Sequence, residues 1–207
     1  MSRIGKKPVV VPKEVQVVLG DNLLTVIGPK GKLTRQLHHT MNINMDSDQI
    51  IVTPKQDIKA HRKFHGLTRS LIANMVEGVS QGFKKSLYIV GTGWKANIEN
   101  IEKNAIELLI GYSHPVKIGP VPGITFEVDK NRVPVPFKKQ GKLSVETLHI
   151  LGASKEDVGE TAAQIRRLRP PNYFLRKEAE KYTGPGLRYI DECNPVLLRN
   201  PHFVKPS

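Results

Sequence analysis

Leu23-Leu24-Thr25-Val26-Ile27-Gly28, then Pro29-Lys30-Gly31-Lys32, then Leu33-Thr34-Arg35-Gln36-Leu37, is the stretch from which the fold can be read. It gives an apolar-rich strand ending in glycine, a turn of proline, lysine and glycine, and a returning strand. Downstream, Met41-Asn42-Ile43-Asn44-Met45 alternates apolar and polar residues, as a half-buried strand does. Asp46-Ser47-Asp48 turns the chain, and Gln49-Ile50-Ile51-Val52-Thr53 is the next strand. A helix is expected to follow, because Ala60, Phe64, Leu67, Leu71, Met75 and Val79 recur at three- and four-residue spacing. Thr53, Pro54 and Gln56 resemble its start, with Asp57 as the other candidate cap, and Gly78 and Gly82 mark its end.

The second half repeats this order. Ala105-Ile106-Glu107-Leu108-Leu109-Ile110-Gly111 is again a strand closed by glycine, Tyr112-Ser113-His114-Pro115 a turn, and Val116-Lys117-Ile118 the return. Ile124-Thr125-Phe126-Glu127-Val128 alternates, Leu148-His149-Ile150-Leu151 is a later strand, and Val158, Ala162, Ile165 and Leu168 line one face of a second helix. Ser154 and Asp157 have capping-box spacing, and Pro170-Pro171 ends the helix. Laid on each other, the two helices match Gly66 to Ala163, Arg69 to Arg166 and Leu71 to Leu168, so the repeat is architectural. The expected fold class is α+β, with two tandem related modules, each an antiparallel sheet packed against one helix. Residues 1–82 form the first module with a basic N-terminal arm, 83–171 the second, and 172–207 a basic extension. Residues 129–142 fit the repeat poorly: Val133-Pro134-Val135-Pro136 cannot be a central strand, and Lys138, Lys139 and Lys142 follow, so a basic loop or long hairpin is expected.

Charge narrows the function. The 207 residues hold 32 Lys and Arg against 19 Asp and Glu, a formal charge of +13, and call for a polyanionic partner. No apolar run approaches the ~20 residues of a membrane-spanning helix, and no secretory signal pattern is visible. Cys193 is the single cysteine, which excludes an internal disulfide and a multi-cysteine zinc site and favours a reducing compartment.

The cations best placed for a polyanion such as a nucleic acid are Arg166, Arg167 and Arg169 at the end of the second helix, opposite its apolar stripe. Guanidinium forks match phosphate oxygens, although cations there also complement the helix dipole. Arg176, Lys177, Lys181 and Arg188 continue the basic track, interleaved with Tyr173, Phe174, Tyr182 and Tyr189, which either stack on bases or anchor the tail on its own domain. Gly184-Pro185-Gly186 allows close backbone approach to RNA, or is only a turn. Arg3, Lys6 and Lys7 form an arm expected to be disordered alone and ordered on phosphate. Lys84, Lys85 and Lys95 come next, while the run 59–63 reads as a solvated helix face.

A family resemblance rests on seven motifs in order from residue 2 to about 190. They are Ser2-Arg3-Ile4-Gly5-Lys6-Lys7-Pro8; Val26-Ile27-Gly28-Pro29-Lys30-Gly31; the helix from His65-Gly66-Leu67-Thr68-Arg69 to Val79; Val90-Gly91-Thr92-Gly93-Trp94-Lys95-Ala96; Gly111-Tyr112-Ser113-His114-Pro115-Val116; Ala162-Ala163-Gln164-Ile165-Arg166-Arg167-Leu168-Arg169-Pro170-Pro171; and Gly184-Pro185-Gly186-Leu187-Arg188-Tyr189. Together they resemble the bacterial-type large-subunit ribosomal protein L6 family. The resemblance implies a structural, non-enzymatic protein that binds large-subunit rRNA beside the sarcin–ricin loop and supports the region where translation factors dock. It implies rRNA, neighbouring large-subunit proteins and nearby translation factors as partners, with no cofactor, membrane or homo-oligomer. A standalone RNA-binding regulator is the alternative; it shares the charge but not the ordered motifs.

The chain departs from the family pattern in several places: the length of 129–142, the extra residues between Pro171 and Tyr182, Pro185 where lysine is common, and the tail 194–207. These departures point to a ribosome in an organelle matrix, mitochondrion ahead of plastid, with the bacterial cytoplasm as the other setting. Enzyme readings fail on spacing. Gly91-Thr92-Gly93 lacks the remainder of a phosphate loop and reads as a bulged strand carrying Trp94. His61 and His65 are half a metal pattern without a third ligand and read as solvent- or RNA-facing, and Cys193 has no nucleophile signature.

Overall fold

The computed structural model describes residues 3–20, 22–46, 48–56, 58, 61–99, 102–134, 144–171 and 185–190. The chain divides into two compact units, Met1–Phe83 with Gly152–Glu156, and Lys84–Leu151 with Asp157–Ser207. The α+β reading holds, and each unit shares its strands between two small sheets.

In the first unit, β2 (Gln16–Leu19), β3 (Leu23–Gly28) and β4 (Gly31–Gln36) form one antiparallel sheet. β1 (Val9–Val10), β6 (Gln49–Pro54) and β5 (Met41–Asp46) form the other, in the order β1-β6-β5. The β3–β4 hairpin closes with Gly28 opposite Gly31, and Gly31 takes the positive φ of 140° that a residue with a Cβ avoids. Leu24 and Val26 point inward from β3, Ile50 and Val52 from β6, and α1 (Arg62–Ser80) covers them with Ile72, Met75, Val76 and Val79. Fully burying each such side chain contributes about 1.5–3 kcal/mol.

Several expectations for α1 are corrected. Thr53 and Pro54 do not start the helix: they end β6, where Pro54 pairs with Met41, and His61 stands at the N-cap. Asp57 lies outside the described residues. The buried face is His65, Thr68, Ile72, Met75, Val76, Gly78 and Val79, whereas Leu67 is 54% exposed. Two stripes one residue apart satisfy the same periodicity, and hydrogen bonding selects between them. His65, expected at the surface, is buried, and its Nε2–H donates to the Val52 carbonyl at 2.9 Å. Gly78 sits inside the helix; the end comes at Gly82, whose φ is +80°.

The N-terminal arm is a turn packed on the unit, not the disordered segment expected. Gly5 lies so close to the His65 ring that a Cβ there would be 2.5 Å from it. The Arg69 guanidinium donates to the carbonyls of Lys7 (3.1 Å) and Pro8 (3.3 Å). Arg3, Lys6 and Lys7 keep exposed side chains on this fixed turn. Arg69→Ala is expected to speed tryptic cleavage after Lys6 roughly five-fold, from loss of about 1 kcal/mol of hydrogen bonding. A time course of intact mass and N-terminal fragments measures it.

In the second unit, β7 (Phe83–Val90), β12 (Ser144–Gly152), β11 (Ile124–Pro134) and β13 (Gly186–Tyr189) form a sheet in the order β11-β12-β7-β13. β8 (Lys95–Ile98), β9 (Ile106–Leu109) and β10 (Val116–Ile118) form the other. Leu87, Ile89, Ile106, Leu108, Phe126, Leu148 and Ile150 are buried, as are Val158, Ala162 and Ile165 of α2 (Lys155–Leu168). Segment 129–142 begins as the outer end of β11, an edge strand of its sheet and so the setting in which a strand proline is tolerated; residues 135–143 lie outside the described residues. The Gly91–Trp94 stretch is a turn between β7 and β8, not a bulged strand. Trp94 packs where a Cβ on Gly91 would be 2.2 Å from the indole and one on Gly111 2.9 Å.

His149 on β12 shares a 2.7 Å hydrogen bond between its Nδ1 and the Ser86 hydroxyl of β7. Burial first, then the Lys84 ammonium, hold this imidazole below the ordinary histidine range, against Asp129 and Glu127. With the folded-state pKa depressed, the folded protein binds fewer protons than the unfolded chain as pH falls through that range. Stability from the neutral ring is therefore complete above the range and lost below it. The urea midpoint is expected to be lower at about pH 5.5 than at about pH 7.5, and His149→Gln to reduce that difference. Paired urea titrations at the two pH values measure both effects.

Candidate nucleic-acid interface

The second unit gathers cations and aromatic rings where α2 ends. Val158, Ala162 and Ile165 hold the helix on the sheet, which turns Arg166 and Arg167 away from the core in its last turn. β13 lies close to the end of this helix. The Leu187 N–H donates to the Arg169 carbonyl at 2.9 Å, and Gly186 meets Pro171 so closely that a Cβ would be 2.5 Å from its Cα. These contacts fix β13 beside the helix end, paired with β7 so that Tyr189 stands opposite Leu87.

Two ring–cation groups result. The Arg166 guanidinium lies 5.6 Å from the Tyr189 centroid, and the Lys85 ammonium 5.2 Å from the same ring. Arg169 lies 5.1 Å from the centroid of Tyr112, whose hydroxyl donates to the Leu168 carbonyl at 2.6 Å. That hydroxyl satisfies one of the carbonyls a helix leaves unpaired at its C-terminus. His114 stacks on Tyr112 at 6.5 Å. A guanidinium seated over a ring presents its planar edge of donors to a phosphate and loses less entropy when it binds. Arg167 is exposed and makes only a loose 3.7 Å ion pair with Glu160. The cations also sit well with the helix dipole, so the two readings open from sequence are compatible.

Of the sequence candidates, Arg166, Arg169 and Tyr189 are brought together here, with Gly186 behind them. Gly186 serves an internal packing contact, as described. Arg188 points into the unit and is 2% exposed, on the strand position opposite Tyr88. Its alternation partners Leu187 and Tyr189 take the face toward α2, and that alternation decides where Arg188 goes. Lys95 is exposed at the start of β8, and Arg3, Lys6 and Lys7 belong to the first unit. Arg176, Lys177, Lys181 and Gly184 lie outside the described residues. Tyr112 and His114 stand in the sequence as turn residues and as part of the family motif 111–116, and nothing in the spacing links 112 to 169. His61 and His65 share no site, since His61 donates from Nδ1 to the Gln56 carbonyl at 3.1 Å. Among the described residues no three His, Cys, Asp or Glu side chains converge as metal ligands, and no helix is long and apolar enough to cross a membrane.

The family model described as ribosomal protein L6 matches residues 11–82. A protein from Chloroflexus aggregans called large ribosomal subunit protein uL6 is 45% identical over 193 residues, covering 93% of both chains. The chain belongs to the ribosomal protein L6 family. Relatives of the same name from Exiguobacterium sibiricum (45% identical; 93% of this chain, 94% of the relative) and Fusobacterium nucleatum (42%; 93% and 94%) extend the match. The L6 family is one of ribosomal proteins, not enzymes. The organellar expectation, mitochondrial first, is not supported, because these L6 relatives are bacterial. Their coverage of 93% or more in both directions shows that the likeness extends beyond the residues of the matched family model.

Proposed function

We propose that the chain is a structural constituent of the large subunit of a bacterial-type ribosome, working in the bacterial cytoplasm. On this reading the second module and the extension 172–207 bind large-subunit rRNA beside the sarcin–ricin loop, next to other large-subunit proteins, and support the region where translation factors dock. The single observation that carries the RNA contact is the pair of ring-backed guanidiniums at the end of α2, Arg166 on Tyr189 and Arg169 on Tyr112. Structured rRNA is recognised mainly through phosphates, 2′-hydroxyls and shape, so rigid donor forks suffice without a base-reading motif. Arg167, Lys85 and Lys95 extend the cationic surface, with Arg176, Lys177 and Lys181 following in sequence, and Arg3, Lys6 and Lys7 make a secondary contact from the first unit.

The test is sedimentation of the tagged chain through a gradient with cell ribosomes. It should travel with large subunits and remain there through moderate salt; migration as a free protein at low salt would overturn the assignment. Hydroxyl-radical probing from a cleavage reagent tethered at Arg167→Cys, in a Cys193→Ser background, should cut rRNA at the sarcin–ricin loop. Cuts confined to other helices would remove that location.

A further inference from the structure

The first unit holds a feature that neither its core nor the α2 site explains. Where β4 leads into β5, His38 stacks on His39 with centroids 4.4 Å apart, and on its other side on Phe64 at 4.0 Å. Phe64 lies in the first turn of α1 and packs at the margin of the core. The stack thus runs from the core to the surface and ends on His39, an exposed residue. The loop fixes it. The backbone N–H and the hydroxyl of Thr40 both point to Nδ1 of His38 (3.4 and 2.7 Å), which makes that nitrogen an acceptor and leaves the proton on Nε2.

The surroundings are cationic. Lys63 lies 5.0 Å from the Phe64 centroid. Burial first, and then His39, His61 and Lys63, keep the His38 imidazole below the ordinary histidine range, so the neighbours that act on it among the described residues are all basic side chains. The first turn of α1 contains no acidic residue, although the positive end of a helix favours carboxylates. A surface arranged for the stability of the isolated chain would carry the opposite sign here. An external polyanion supplies the missing charge, and an exposed ring stack supplies a face for a base.

We propose that the His39–His38–Phe64 stack with Lys63 is a second RNA contact, taking an unpaired base on His39 and an adjoining phosphate at Lys63. The inference rests on the rRNA-binding reading above. It also replaces the view of 59–63 as a merely solvated face, because solvation explains the lysine but not the ordered rings. An acidic protein segment would satisfy the charge but would leave the stack unused.

The test measures binding of the full chain to a large-subunit rRNA transcript across a salt series. His39→Ala, at the exposed end of the stack, is expected to weaken binding about ten-fold, and His39→Tyr to restore it, since stacking tolerates a change of ring. Lys63→Gln should lower the slope of log affinity against log salt by roughly 0.7 to 0.9. Wild-type affinity for His39→Ala, failure of His39→Tyr to restore binding, or an unchanged slope for Lys63→Gln would each overturn the contact. Thermal melts that match wild type exclude unfolding as the cause, and His39→Ala removes no buried group. If the wild-type chain fails to bind the transcript, the rRNA-binding reading itself fails. If the Arg166→Glu/Arg169→Glu chain loses binding while His39→Ala keeps it, only this second contact is refuted.

Discussion

The double variant Arg166→Glu/Arg169→Glu is expected to lose incorporation into large subunits almost completely. Each guanidinium is held by an aromatic ring, Tyr189 or Tyr112, so the chain has already restricted both side chains in position for a phosphate. A charge-assisted hydrogen bond contributes about 1.5–3 kcal/mol, so losing two contacts weakens binding by roughly a hundred-fold or more, and the new carboxylates add repulsion from the phosphates. Lys13→Glu/Lys32→Glu makes the same change in net charge at two exposed positions of the first unit, and should reduce incorporation far less. Quantifying both chains in large-subunit gradient fractions against wild type gives the comparison. Equal incorporation of the two would show that bulk charge, and not this site, holds the chain to the ribosome.

Gly28→Ala is expected to destabilise the first unit strongly, because the added methyl group meets backbone. A Cβ at Gly28 would lie 2.6 Å from the Val79 carbonyl oxygen, 2.9 Å from Val79 Cγ2 and 3.0 Å from the carbonyl carbon. The obstacle is chiefly backbone, near the end of α1, and that carbonyl also accepts the Lys30 N–H at 2.9 Å. Helix and hairpin cannot separate without losing this bond and the packing of Val79, which is fully buried. Overpacking of this kind costs about 3 kcal/mol, enough to lower the midpoint of a unit this size by roughly 10 °C or more. Gly159→Ala in α2 is the counterpart, because nothing lies within 4 Å of its added Cβ. That change should stabilise by about 0.5–1 kcal/mol through helix propensity. Calorimetry of both variants decides the matter: a neutral Gly28→Ala would mean the hairpin and helix are not closely joined.

Much of this protein can be read along the chain, because the governing interactions are local. Period-two alternation in 41–45 and 124–128, glycine-closed strands at Gly28 and Gly111, and the stop at Pro170-Pro171 each depend on a few neighbouring residues, and all appear as strands, turns and a helix end. Net charge likewise needs no structure, and it named a polyanion as partner. Motifs of several residues in fixed order carried the family. Tertiary structure decided what periodicity leaves degenerate. It selected His65 and Thr68 over Leu67 as the buried face of α1, because a hydrogen bond to Val52 satisfies the imidazole there. It turned Arg188 inward while Tyr189 met Arg166, since strand alternation relative to β7 is set by register, and a basic tail read as a list does not reveal register. It joined Tyr112 to Arg169 and gave Gly186 its reason in Pro171, contacts between residues distant in sequence whose only common cause is the way the second unit closes on itself.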